Sequence, residues 1–188
     1  MRKPQQSYDL EIPDDDYKTA AVMMRDKANF ESPYKWVYVG ADARSPWDAK
    51  IGITMDDLRS RSYSTGNAEY YLFCAFQCDQ RITKQQLEDI ERSAIAYLDR
   101  VFVDDNGITK RKPHWESQRL SEWYYGINFE EFFVHVHNFL YDNYGTSFQI
   151  GAYLNEVGEM DGQALAWLFN PQLEPGVSER YLRMILRY

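Results

Sequence analysis

Residues 83–102, TKQQLEDIERSAIAYLDRVF, constrain the fold more tightly than any other stretch. Leu87, Ile90, Ala94, Leu98 and Val101 recur at three- and four-residue spacing, which gathers them on one face of a helix. Thr83 followed three residues later by Gln86 makes a capping-box pattern at its start. Upstream the rhythm changes. WVYVGA from Trp36, AKIGIT from Ala49 and EYYLFCAFQCD from Glu69 are rich in β-branched and aromatic residues and predict three short strands. The first two form a hairpin across a polar loop that contains Pro46.

Residues 14–30 open with acids and end with basic residues around an apolar centre, the order that suits a helix dipole, and Ser32-Pro33 stops that helix. Asp56 is placed to cap a short helix through Leu58 and Arg61, before Gly66-Asn67 breaks it. Residues 104–107 form a turn, and 113–126 read as a loop with a short helical or extended piece. Phe129–Tyr141 reads as a helix, and Leu154, Leu165, Trp167 and Leu168, then Tyr181, Leu182, Ile185 and Leu186, read as further helical turns. The expected fold is α+β: a small three-stranded antiparallel sheet flanked by helices, with an N-terminal helix and a mainly helical C-terminal extension. The expected organisation is a helical segment 1–33, a module 34–128 and an extension 129–188.

No run of about 18 apolar residues exists, and the basic amino terminus lacks the apolar stretch of a secretory signal, so the expectation is a cytoplasmic protein with no membrane association. Cys74 and Cys78, four apart on one strand, would hold their Cα atoms about 13 Å apart, too far for a disulfide, and read as buried thiols.

The net charge of −8 argues against non-specific coating of nucleic acid. It is unevenly spread. Residues 129–188 carry 3 basic and 8 acidic side chains, whereas 34–128 carry 13 and 14. The nearly neutral middle holds two local clusters, Arg59/Arg61 and Lys110, Arg111 and Lys112, where a polyanion can approach; both also read as solvated surface charge.

Glu91 falls inside the apolar stripe of the 83–102 helix, so its carboxylate needs a cation, a metal or hydrogen bonds. A structural ion pair and a ligand or catalytic role both satisfy that need. Gly52, isolated in a strand pattern, marks a bulge or a close approach by another backbone or a ligand. Strand alternation puts Tyr38 on the face opposite Val37 and Val39, where a hairpin would make Lys50 its neighbour. His135 and His137, two apart in a helical stretch, do not share a face. HExxH, GxGxxG, GxSxG and Walker-type lysine loops are absent.

In order along the chain stand W-V-Y-V-G (36–40), A-K-I-G-I-T (49–54), D-L-R-S-R (57–61), Y-S-T-G-N (63–67), Glu91 in an amphipathic helix, and S-E-W-Y (121–124). This series resembles the GIY-YIG nuclease superfamily, in particular the branch common in viral and phage proteins whose second motif reads KIG. The likeness covers roughly residues 34–128. Tyr38 matches the motif tyrosine, Lys50 stands in place of the second tyrosine, and Gly52 matches its glycine. Arg61 matches the arginine of L-x-x-R, and Glu91 the metal-binding glutamate. Trp36 replaces the first glycine, and Ile95 stands where this branch often has histidine.

The resemblance implies a metal-dependent endonuclease hydrolysing phosphodiester bonds, DNA ahead of RNA, with Mg²⁺ or Mn²⁺ held by Glu91. It implies Tyr38, Lys50, Arg61 and Glu91 as catalytic residues, with Gly52 beside the substrate; the basic clusters add Arg59, Lys110, Arg111 and Lys112 as expected substrate contacts. Tyr38 would orient or deprotonate water, which a phenol of reference pKa near 10 does at neutral pH only with help from Lys50 and the metal. The alternative is an inactive GIY-YIG-like module that binds a protein or nucleic-acid partner through its acidic extension. For that extension a protein partner and a second copy of the chain are the two candidates.

Overall fold

The computed structural model describes residues 34–55, 58, 68–154 and 157–188. Strands β1 (Trp36–Asp42), β2 (Ser45–Thr54) and β3 (Tyr70–Gln77) lead into helix α1 (Lys84–Val101). Strands β4 (Arg111–Pro113) and β5 (Leu120–Tyr124) follow, then α2 (Phe129–Tyr144), β6 (Ile150–Leu154), β7 (Met160–Leu165), β8 (Trp167–Phe169) and α3 (Val177–Ile185). The helix expected over 14–30 and most of the short helix expected from Asp56 to Arg61 lie outside the described residues.

The chain is α+β with an antiparallel sheet, as expected, but the sheet has six strands rather than three, in the order β4-β5-β2-β1-β3-β8. The three predicted strands form its centre. The additional strands are of three to five residues, too short for a period-2 pattern to stand out, and pairing with a neighbour already in place makes them strands. The β1–β2 turn is also shorter than the expected polar loop. Only Ala43 and Arg44 turn the chain, and Pro46 belongs to β2, within residues 46–48 that bulge where the register steps from Ala41↔Ala49 to Asp42↔Ser45. A bulge accepts proline because no ladder N–H is required there.

Helix α1 starts as its sequence dictates: the Gln86 N–H donates to Thr83 Oγ1 (3.2 Å), and the Thr83 N–H donates to Gln86 Oε1 (2.8 Å). In α2 the Asn128 side chain accepts from the Glu130 and Glu131 N–H groups, and those two acids complement the helix dipole. Leu87, Ile90, Ala94 and Leu98 of α1 pack with Phe132, Phe133 and Leu140 of α2 and Ile185 of α3 against Val37, Val39, Ile51 and Phe76 of the sheet. Phe73 sits among Phe129, Phe133, Phe169 and Tyr181, edge-on to each at 4.7–5.7 Å. One core therefore runs across residue 128, and β8 of the extension pairs with β3.

The extension is not mainly helical. Leu154, Leu165, Trp167 and Leu168 lie on β6, β7 and β8, not on helical turns. Pairing with partner strands makes them so, and Gly162 in β7 takes a φ of 136° that side-chain-bearing residues rarely adopt, with Arg187 O and Leu186 Cβ each 3.2 Å from where a Cβ would stand. The Tyr181 to Ile185 turn is helical as expected, with Leu186 just beyond it.

Cys74 and Cys78 are free and buried; burial raises the Cys74 thiol and pushes Cys78 up to about 12, so neither is a thiolate near neutral pH. His135 and His137 face different partners, Nδ1 of His135 meeting the Tyr97 hydroxyl at 2.7 Å. His137 is fully buried and accepts the Leu165 N–H at Nε2 (3.2 Å), which puts its proton on Nδ1 beside Asn138 Oδ1. Burial pulls it down to about 4. The unfolded chain binds this proton near pH 6.5 and the folded chain only near pH 4, so stability present above pH 6.5 is lost as pH falls through that window, by about 3 kcal/mol. Urea unfolding at pH 7 and pH 4 should show that loss, and H137Q, which keeps an acceptor for Leu165, should flatten it.

Candidate active site

Side chains alternate along β1, so Val37 and Val39 enter the helix-covered core while Tyr38 points to the opposite face. There Tyr38, 3% exposed, packs with Leu72 and Ala75 of β3 and with Trp36 and Leu58. Leu58 is the leucine of the L-x-x-R stretch, which brings the start of that stretch to the Tyr38 face. Arg59 and Arg61 themselves lie outside the described residues.

The β1–β2 register sets Tyr38 opposite Gly52 and Gly40 opposite Lys50. Gly52 is a close approach, as expected, but what approaches is the Tyr38 ring: a Cβ at Gly52 would stand 2.6 Å from Tyr38 Cζ and Oη. Gly40 seats Tyr70 in the same way, the ring edge at Cε2 lying where a Cβ would stand. Two glycines thus let two tyrosines lie down across neighbouring strands. G52A should cost about 1–3 kcal/mol by forcing the enclosed Tyr38 ring to move. In a Y38A background the same change should cost almost nothing, and equal costs in both backgrounds, measured by urea unfolding, would contradict this contact.

Lys50 shares the Tyr38 face. Its side chain is 16% exposed and its ammonium pairs with Glu122 Oε2 at 2.9 Å. Glu122 is delivered by β5, which places Trp123 opposite Lys50 and sets the Trp123 ring edge-on to Tyr70 at 5.6 Å. The sequence marks S-E-W-Y as a motif but carries no sign that its glutamate is the partner of Lys50, because that pairing depends on the β2–β5 register.

Lys110, Arg111 and Lys112, a single basic cluster in the sequence, are divided by strand geometry. Arg111 turns toward α1, where Nη1 meets Asp99 Oδ2 at 2.9 Å and Nη2 donates to the Leu120 carbonyl. Asp99 also accepts the Thr109 hydroxyl (2.7 Å) and the Tyr124 hydroxyl (2.9 Å), and burial, with Asp99 beside it, raises the Tyr124 phenol. Arg111 is therefore held in a structural ion pair away from the Tyr38 face. Lys112 lies 4.7 Å over the ring of Tyr125, and Lys110 donates to the Gly126 carbonyl at 2.8 Å.

Glu91 is half-buried on α1, a different element from the strands that carry Tyr38, Gly52 and Lys50. At ~100° per residue it falls between Leu98 and Ile95 around the helix, on the flank of the buried stripe. Among the described residues no three His, Cys, Asp or Glu side chains cluster as a metal cage. Glu91 would therefore be a single protein carboxylate on any Mg²⁺ or Mn²⁺, water and substrate phosphate supplying the remaining oxygens, a mode Mg²⁺ commonly takes. Among the described residues no helix is long and apolar enough to cross a membrane.

Comparison with protein-family models, with curated proteins and with solved structures returns no match.

Proposed function

We infer that this chain is a divalent-metal-dependent endonuclease acting on nucleic acid, DNA ahead of RNA, through a GIY-YIG-like module over residues 34–128. The observation that carries this reading is the β1–β2 register, which stacks Tyr38 on Gly52 and sets Lys50 on the same face, the relation the motif series requires. Leu58 beside Tyr38 supports it, while Glu91 belongs to α1, which packs on the Val37 and Val39 side of the sheet.

Phosphodiester hydrolysis needs an oriented water, compensation of charge developing on the phosphoryl oxygens, and help for the leaving oxygen. Tyr38, closely packed and with its rotation restricted by Gly52 and Leu72, offers a positioned hydroxyl to water. Lys50, its ammonium fixed by Glu122, places positive charge on the same face for the phosphate. Arg61 is the candidate for bidentate phosphate contact, which a lysine does not reproduce. Glu91 would hold Mg²⁺ or Mn²⁺, which when bound supplies Lewis-acid stabilisation of the phosphate.

Supercoiled plasmid incubated with Mg²⁺, Mn²⁺ or EDTA tests the reading. Nicking with either metal and none in EDTA is expected. A folded protein that leaves both supercoiled and branched DNA intact in all three would overturn it in favour of the inactive binding module.

A further inference from the structure

The face that carries Tyr38 and Lys50 does not end at Trp123. The Trp123 ring on β5 and the Tyr125 ring just past its end lie 6.5 Å apart, both half-buried, and the Lys112 ammonium sits over Tyr125. Beyond Lys112 the β4–β5 hairpin closes through residues 114–119, where Trp115 is 92% exposed. That loop is ordered by its own hydrogen bonds: the His114 N–H donates to the Arg119 carbonyl, the Gln118 N–H to the His114 carbonyl, and Gln118 Nε2 to the Trp115 carbonyl. Gln118 takes a left-handed φ of 54°, and no glycine relieves it. A large indole is thus held in water by a defined turn.

The charge around it is opposite to that of the chain. Residues 110–119 carry Lys110, Arg111, Lys112 and Arg119 against Glu116, in a protein of net charge −8. Arg111 is spent on Asp99 and Lys110 donates to the Gly126 carbonyl, while Lys112 and Arg119 are exposed. A half-buried ring under a lysine ammonium, a second ring beside it and an exposed indole at the hairpin tip are groups with which proteins bind single-stranded nucleic acid: bases stack on rings while cations follow phosphates. A duplex keeps its bases stacked on one another and offers an indole nothing to receive it.

We propose that the β4–β5 hairpin, through Trp115, Tyr125 and Lys112, binds an unpaired stretch of nucleic acid and leads it to the Tyr38 face. This rests on the nuclease reading for the purpose of that delivery, but the binding itself does not require cleavage. The substrate class becomes nucleic acid with a single-stranded segment.

Fluorescence anisotropy in EDTA, with a labelled oligothymidylate and with a blunt duplex of equal length, measures binding without cleavage. The wild-type chain should prefer the single strand. W115A, whose side chain leaves no core contact behind, should lose about 5- to 100-fold in affinity for the single strand and with it most of the preference. K112Q should lower the slope of log affinity against log salt by about 0.7, one phosphate contact. Equal binding of both probes, no binding of either, or a W115A chain that keeps the wild-type preference would each overturn the proposal. Incubation of a plasmid and of a duplex carrying a single-stranded tail with Mg²⁺, run beside it and scored for nicking of either, separates the two readings. Binding without nicking defeats the nuclease alone, and nicking without single-strand preference defeats the hairpin's role alone.

Discussion

Glu91→Ala is expected to reduce metal-dependent nicking by about 10²–10³-fold, the scale on which loss of one preorganised charge-stabilising group acts. The fold should survive, since alanine is the strongest helix former and the position lies on the flank of the buried stripe of α1 rather than at its centre. Glu91→Gln keeps the shape of the side chain and removes its charge. If the carboxylate serves a cation, both variants lose nicking while their circular dichroism and urea midpoints stay close to wild type. If Glu91 serves only as a structural ion pair, both variants shift the urea midpoint and nick at wild-type rates, which would remove the metal from this residue.

Asp99→Ala should have the largest effect on stability. It leaves the Arg111 guanidinium, whose side chain is 10% exposed, without its carboxylate, and strips an acceptor from both Tyr124 and Thr109. Breaking one side of a largely buried pair costs about 3 kcal/mol, because the remaining charge stays out of water. Urea unfolding should show it as a lower midpoint at unchanged slope. The double variant Asp99→Leu/Arg111→Met should regain much of the loss, since it removes both charges and keeps the volume. A single variant with an unshifted midpoint would mean that Arg111 swings into solvent and that the pair does not hold β4 to α1.

These two residues mark the boundary of what the chain declares locally. The capping box of α1 was legible because its partners, Thr83 and Gln86, are three residues apart, and a helix brings such neighbours together whatever surrounds it. The opposed faces of Tyr38 and Val39 were legible for the same reason, since a strand's period of two is a property of the backbone. The Lys110 to Lys112 run was not. Its alternation follows from β4 being a strand, and three residues become a strand only when β5 is there to pair with them. The same dependence hid β6, β7 and β8, whose short apolar runs fit a helix or a strand until a partner is in place.

Periodicity and near-neighbour spacing, acting over a turn of helix or a few residues of strand, therefore wrote α1, the β1–β2–β3 order and the two-faced character of β1 into the amino-acid order itself. Tertiary structure decided the rest: that Glu122 meets Lys50, that Asp99 withdraws Arg111 from the surface, and that His137 is buried under Leu165. Each of those contacts joins residues 12 to 72 positions apart. Loop closure makes them costly for the chain alone, so they form only where the shared core has already brought their elements together.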